Sequence, residues 1–424
     1  MKILVIGSGA REDAICKSLQ ISDSNDVFCA PGNSGMNLFG IKTVDLDEMN
    51  FEELSDFAIN NKIDFTIVGP EKPLVAGIVD YFESKNLKIF GPNKSSACIE
   101  GSKSFTKKIM KNAGVPTAFY EEFTNFDLAY QSLLNLDFPI VIKADGLASG
   151  KGVYIVDDLT DGKKILQDLL LDHQFETKKV IIEEYLEGEE FSLMSFVSGN
   201  KFYPMPIAQD YKRAFDEDKG PNTGGMGAIC PVANIGQDTI DSAYEKVLKP
   251  FINEMNNQGV DYIGILYAGL ILTKDGVKVI EFNVRFGDPE TEVVLPRLKS
   301  DLSDIILNLL NKKDISRIEW QDNGIDLGVF VASQGYPKQP LIEKDIGNLE
   351  QFKKYQYGIN FASVKVQNES IISNGGRLYC VNSHGVNIKE AKKNIYEFLD
   401  KIDTRHVFYR KDIGKNAQKE DLCN

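Results

Sequence analysis

Ile142-Lys143-Ala144-Asp145-Gly146-Leu147-Ala148-Ser149-Gly150-Lys151-Gly152-Val153 is the stretch on which the fold turns. It mixes glycines with two lysines, as a phosphate-binding P-loop does. The spacing from Gly146 to Gly150 is one residue short of that motif, and Gly152 stands where a magnesium-holding Ser or Thr belongs. Val153 to Val156 then reads as a strand, where a P-loop needs a helix. What remains is a hairpin loop carrying Lys151, beside a strand that ends in Lys143. Two lysines with amide-exposing glycines make a clamp for a triphosphate. The plainer alternative is a surface hairpin with solvated lysines; the density of Gly and Lys in one loop favours the clamp.

Upstream, short apolar runs alternate with helical patterns. Lys2 to Ile6, Val27 to Ala30, Phe65 to Val68 and Lys88 to Phe90 read as strands. Arg11 to Gln20, Phe51 to Asn60 and Leu74 to Ser84 read as helices. This alternation predicts a parallel sheet covered on both faces. Gly7-Ser8-Gly9-Ala10-Arg11-Glu12-Asp13 follows the first strand and opens a helix, a place where backbone N–H groups can hold a phosphate. It is not a dinucleotide fingerprint, because the third glycine would fall at Glu12. A tight turn without a ligand fits equally well. Ser102 can cap a helix that Gly114 and Pro116 stop. Lys103 lies in its first turn, where the helix dipole favours an anion; Lys107, one turn on, reads as a solvated charge.

Downstream, Phe138 to Lys143, Val180 to Glu184, Tyr262 to Leu272 and Val277 to Phe282 read as strands, and a long helical pattern runs on to about Lys312. Glu183, Glu184, Tyr185 and Leu186 close an apolar strand, either as surface acids or as a nucleoside-reading edge. Residues 210–227, with Arg213, Asn222, Thr223, Gly224 and Gly225, keep no periodicity and read as a long loop built for a ligand. Glu281 and Asn283 point to one face of a strand and Arg285 continues that face. Such oxygen donors suit Mg²⁺, which takes one or two side chains plus substrate phosphates. Lysines, an oxygen pair and no P-loop together describe the ATP-grasp way of holding ATP. The fold class expected is therefore α/β and α+β multidomain: a parallel-sheet domain over 1–101, an ATP-grasp domain over 102–320 with a mobile lid at about 120–190, and a small α+β domain over 321–424.

The 424 residues include 48 Lys and Arg against 62 Asp and Glu, a net charge of −14. That balance disfavours broad nucleic-acid binding, which needs a basic face. No run approaches 18 apolar residues, so no membrane span is expected. The six Cys lack CxxC spacing and read as reduced thiols of a cytoplasmic protein; the three His are too scattered for a zinc site.

The chain resembles the glycinamide ribonucleotide synthetase family, purine-pathway ligases of ATP-grasp type. The resemblance rests on GSGARED (7–13), APGNSG (30–35), VGPEKPLVAGI (68–78), EGSKSFTK (100–107), IKADGLASGKGV (142–153), EEYLEGEEFS (183–192), DYKRAFDEDKGPNTGGMG (210–227), EFNVRFGDPETEVVLPRL (281–298), NGGRLYCV (374–381) and FYRKDIG (408–414). It implies ligation of glycine to 5-phosphoribosylamine with ATP, through glycyl phosphate, with Mg²⁺ or Mn²⁺. It implies ATP contacts from Lys103, Lys143, Gly146, Ser149, Gly150, Lys151 and Gly152, an adenine hinge over Glu183 to Leu186, and a ribose contact from Glu190. Glu281 and Asn283 would hold the metal; Arg285 and Lys151 would act on the transferring phosphoryl group. Gly9, Arg11, Glu12, Asn33 and Glu71 would hold phosphoribosylamine. Asp210, Lys212, Arg213, Asn222 to Gly225, Asp288 and Glu290 would border glycine. The partners implied are these small molecules, with no nucleic acid or membrane, and a transient contact with the enzyme of the preceding step. Ala10 and Asp13 stand where the family usually has Gly and His, which leaves a substrate role at position 13 open. The end just after FYRKDIG suggests a single-function chain.

Overall fold

The computed structural model describes residues 1–147, 152–355, 357–415 and 417. Strands β1 (Lys2–Gly7), β2 (Asp26–Pro31), β3 (Lys42–Thr43), β4 (Phe65–Val68) and β5 (Ile89–Phe90) form the expected parallel sheet, in the order β3-β2-β1-β4-β5. Ile3 to Ile6 are buried on both faces of the central strand, which is why β1 is a continuous apolar run. The strand order reverses between β1 and β4. The turn after β1 therefore opens into the crevice where such sheets take ligands. The helix expected over Leu74 to Ser84 is broken: Gly77, at φ +96°, ends Glu71–Ala76 and starts Ile78–Ser84.

Strands β6 (Tyr120–Phe123), β7 (Ile140–Ala144), β8 (Val153–Val156) and β9 (Val180–Glu184) form an antiparallel sheet, order β6-β9-β7-β8. Helices Phe126–Leu133 and Leu159–Leu170 cover it. Leu133, Ile142, Leu166, Leu169 and Ile182 give this unit a core of its own. It is therefore a packed unit with an apolar centre separate from its neighbours.

Strands β10 (Glu189–Ser198) and β11 (Lys201–Pro204) follow. Next come β12 (Gln209–Asp210), β13 (Arg213–Phe215), β14 (Lys219–Asn222) and β15 (Gly227–Cys230). The stretch 210–227 is thus not the featureless loop expected from its composition. β13 and β14 form a hairpin within it. Strands β16 (Ile263–Thr273) and β17 (Gly276–Asn283) complete a second antiparallel sheet, order β11-β10-β16-β17. The long helix expected after β17 is also interrupted. Pro296 sits in a 3₁₀ turn, Leu295–Arg297, between the short helix Thr291–Val294 and the helix Leu302–Leu310.

The remaining strands are β18 (Ile325–Ser333), β19 (Asp345–Asn348), β20 (Gly358–Phe361), β21 (Val364–Gln367), β22 (Ser370–Ser373), β23 (Arg377–Gly385) and β24 (Val407–Phe408). The main sheet here runs β12-β15-β18-β23-β20, with β24 also on β18. β12 and β15 come from far upstream, so the 210–227 stretch hangs from the C-terminal sheet. Helix Ile388–Leu399, capped by Asn387, packs its Ile388, Ala391, Ile395 and Leu399 face on that sheet's core.

Candidate active site

A cleft of about 510 Å³ lies where the three regions meet. Its walls come from the β1 turn (Gly9, Arg11, Glu12), the start of helix Glu71–Ala76 (Glu71) and helix Lys103–Ala113 (Lys103, Lys107). The β6–β9 unit contributes Lys143, Gly146, Gly152 and Glu183, and β17 with its sequel contributes Glu281, Asn283, Arg285, Asp288 and Glu290. The 210–227 stretch adds Asp210, Lys212, Asn222, Thr223 and Gly224.

One carboxylate organises the cations. Glu183 forms ion pairs with Lys143 at 2.8 Å and with Lys107 at 3.0 Å, all three buried. Lys107 is therefore not the solvated charge its helical spacing suggested. Burial pushes its pKa down to about 8 against the pull of Glu183. Burial opposes ionisation of Glu183 too, but Lys143 and Lys107 together hold it below the usual carboxylate value. Lys143 also donates to the Ile280 carbonyl at 3.1 Å. That carbonyl is available because β17 bulges there, between the Leu270–Val279 and Gly269–Glu281 pairs. Lys103 reaches across to the β6–β9 unit and donates to the Gly146 carbonyl at 2.8 Å.

Glu281 and Asn283 converge, the Asn283 amide donating to Glu281 at 3.4 Å. Burial disfavours the Glu281 anion, yet Lys212, Lys143, Lys103 and Arg285 hold its pKa below the ordinary value. Among the described residues no group of three or more His, Cys, Asp or Glu forms a metal site. Two protein oxygens, one anionic, are the donor set that a Mg²⁺ completed by phosphates takes. Arg285 sits between Glu100 at 3.1 Å and Glu71 at 3.5 Å. Glu100 in turn accepts from the Val284 N–H at 2.8 Å.

Glu12 supports the first turn. It accepts from the Gly9 N–H at 2.7 Å and from Arg11 at 2.6 Å. A Cβ at Gly69 would lie 2.0 Å from its carboxylate, so a glycine must follow β4 for Glu12 to fit. Glu290 is buried and accepts from Ser192 at 2.7 Å and Tyr267 at 2.9 Å. Asp210 is pushed up to about 7 by burial and by Glu290, Glu190 and Glu281, with Lys212 opposing.

Several expected residues lie elsewhere. Asn33 donates to the Ser8 and Phe361 carbonyls and accepts from Gly35, so it braces the first turn from outside the cleft wall. Arg213 donates to Gly220 within the β13–β14 hairpin, and Gly225 lies behind the wall. Glu184, Tyr185, Leu186 and Glu190 are likewise not part of it: Glu184 is tied to the Phe119 N–H and Lys278, and Glu190 to Lys212. Ser149, Gly150 and Lys151 lie outside the described residues. The cleft also contains residues given no role from sequence: Glu100, Tyr267 and Arg377. Glu100 and Arg377 fall in the EGSKSFTK and NGGRLYCV stretches, but their partners are distant in the chain, so those stretches give them no role; Tyr267 lies in no such stretch.

Asp13 faces away from the cleft. It accepts from the Phe361 N–H at 2.6 Å and pairs with Lys17 at 3.0 Å, and Lys17 also donates to the Ile359 carbonyl. The residue couples the first helix to β20. Asp13→Ala is expected to cost about 1–3 kcal/mol, since the buried N–H and the lysine lose their acceptor. Urea unfolding measures the loss, and KM for substrates should not change. A variant of native stability, or one with altered KM alone, would contradict this placement.

Comparison with known proteins follows the same three regions. Residues 1–100, 101–291 and 326–416 match the N, ATP-grasp (A) and C domains of phosphoribosylglycinamide synthetase. The chain belongs to this family. Phosphoribosylamine–glycine ligase of Lactococcus lactis is 51% identical, over 98% of this chain and 100% of that protein. The Streptococcus pneumoniae ligase is 46% identical, over 99% and 100%. The crystal structure of the Thermotoga maritima ligase superposes with a TM-score of 0.84 at 30% identity, covering 97% of this chain and 100% of that one. A biotin carboxylase domain from Hydrogenobacter thermophilus, 14% identical over 96% of this chain and 91% of that one with a TM-score of 0.71, shares the fold. The chain is thus a carbon–nitrogen ligase of the ATP-grasp superfamily, whose members use ATP with divalent metal ions. No helix among the described residues is long and apolar enough to cross a membrane.

Proposed function

We propose that this chain ligates glycine to 5-phosphoribosylamine in purine biosynthesis, and that the cleft divides the work by region. The observation that carries this reading is the meeting, in one cleft, of the Lys143–Glu183–Lys107 cluster, the Glu281–Asn283 pair and Arg285 with Arg11 of the first turn.

Lys143 and Lys103, with the lid loop, bind the ATP phosphates, and the chain from Glu183 to Leu186 forms the hinge that meets the adenine. Glu281 and Asn283 would hold Mg²⁺ or Mn²⁺, which neutralises phosphate charge when bound. A glycine carboxylate oxygen attacks the γ-phosphorus, and the bond to the ADP oxygen breaks. Arg285, fixed by Glu100 and Glu71, stabilises the charge on the moving phosphoryl group. The amine of phosphoribosylamine then attacks the glycyl carbonyl. The carbon–oxygen bond to phosphate breaks and the amine nitrogen gives up a proton. Arg11, Gly9 and Glu71 orient the ribosyl phosphate; residues 222–224, Asp288 and Glu290 border glycine. Closing the lid keeps water from the acyl phosphate. Domain limits near 101 and 320 suit this division, with the 209–230 segment serving the C-terminal sheet.

Release of ADP from Mg²⁺-ATP, with each of glycine and freshly generated phosphoribosylamine omitted in turn, tests the reading. Dependence on both substrates supports it; release supported by another acid or amine instead would assign a different ATP-grasp ligase. Glu281→Gln is expected to raise the Mg²⁺ concentration for half-maximal rate on the order of tenfold, since one anionic donor is lost. A Mg²⁺ titration matching wild type would remove Glu281 from the metal set.

A further inference from the structure

Arg377 is the first residue of β23, in the NGGR stretch of the C-terminal region. It nonetheless lines the cleft. A bulge aims it there. Val331 pairs with Tyr379 but Ala332 pairs with Arg377, so Leu378 is the extra residue. Bulges re-aim side chains beside active sites in this way. The guanidinium lies 4.4 Å from the centre of the Phe330 ring, which fixes its plane.

Its donors are directed at two separate cleft elements. One arm donates to the Asp288 carboxylate at 2.5 Å. The other donates to the Gly224 carbonyl at 2.5 Å and the Gly225 carbonyl at 3.2 Å. The Gly224 N–H donates to the Tyr336 hydroxyl at 3.0 Å, so the same loop is held by a second C-terminal side chain. Gly376 makes room for it: a Cβ there would lie 2.2 Å from the Tyr336 ring. Asp288 and residues 222–224 are the two elements that border glycine in the function proposed above.

We infer that Arg377 is a positioning residue for the amino-acid substrate: it sets the spacing between Asp288 and the 222–225 loop, so that glycine is held for attack on the nucleotide. The inference rests on the ligase reading. Only a planar fork can serve a carboxylate on one side and two carbonyls on the other; a lysine carries the charge without the geometry. Its effect falls on glycine and not on ATP, whose lysines and metal pair are held by other contacts.

The test compares Arg377→Lys and Arg377→Ala with wild type in steady-state kinetics, nucleotide binding by the full chain, and thermal unfolding. The expected result is a fall in kcat/KM for glycine of about 10²-fold. ADP affinity should stay within about twofold, and added guanidinium should restore part of the Arg377→Ala rate. Loss spread equally over nucleotide affinity and glycine, no guanidinium rescue, or glycine kinetics within about twofold of wild type would each overturn the assignment. If Arg377→Ala does not fold, Tyr336→Phe carries the test, because it removes only the hydroxyl that holds the Gly224 N–H. A selective fall in kcat/KM for glycine supports the inference, and unchanged kinetics overturn it. A wild-type protein without glycine-dependent ADP release would overturn the ligase reading itself, and is seen before any variant is compared.

Discussion

Replacing Glu183 with Ala is expected to destabilise the protein by about 3–5 kcal/mol, the largest single effect on stability foreseen here. The variant leaves Lys107 and Lys143 buried with no counter-ion. Their remaining partners, the Thr117 hydroxyl and the Ile280 carbonyl, accept hydrogen bonds but carry no charge. Burial already draws Lys107 down to about 8 with Glu183 present, and nothing of comparable strength opposes it afterwards. The loss also has a pH signature. The folded pKa of Glu183 lies below its ordinary value of 4.5, so its contribution is present above that value and disappears as pH falls through the folded pKa. The stability gap between wild type and variant should therefore close in acid, once the pH has fallen below the ordinary value of 4.5 and through the folded pKa. Urea unfolding at pH 7 and at low pH measures both. A cost under about 1 kcal/mol at pH 7 would mean that the two lysines are not held as described.

Arg285→Gln is expected to lower kcat by about 10²–10³-fold while ATP still binds. The guanidinium is held by two carboxylates and lines the same cleft as the Glu281–Asn283 pair. Those carboxylates tolerate its loss unequally. Burial raises the pKa of Glu100, so it can take up a proton. Burial also works against ionisation of Glu71, but Arg285 and Arg11 hold it ionised, and Arg11 remains. The fold should therefore survive. Arg285→Lys should not restore the rate, because an ammonium cannot span both acids and a phosphoryl group. Single-turnover kinetics with saturating Mg²⁺-ATP measures the chemical step directly. A rate within about threefold of wild type would place charge stabilisation elsewhere.

The chemistry legible in the sequence was local in the chain. Glu281 and Asn283 share a strand face by the period of two, and the β7–β8 hairpin betrays itself by glycines and lysines between two short strands. The β1 run and the Ser102 cap were readable for the same reason. What escaped depends on distant partners. Lys107 looks solvated on its helix until β9 brings Glu183 over it. Residues 210–227 look unstructured because β12 pairs with β15, and β15 finds its own ladder partner in β18, about a hundred residues downstream. The two breaks in expected helices had visible causes in Gly77 and Pro296, but an apolar pattern continued through both. Asp13 could not be placed from its neighbours, since its acceptor role serves a strand far along the chain.

That last contact has a consequence for how the protein is made. Asp13 and the Phe361 N–H are 348 residues apart in sequence. At a synthesis rate of about 5–20 residues per second, roughly 17–70 seconds pass before the strand that receives the carboxylate exists. The parallel sheet can close early, because its five strands lie within the first ninety residues. The flank of its first helix that β20 will cover stays bare to water throughout that interval. A newborn chain therefore carries a half-finished surface at its oldest end, and a strand made more than three hundred residues later has to come back and seal it.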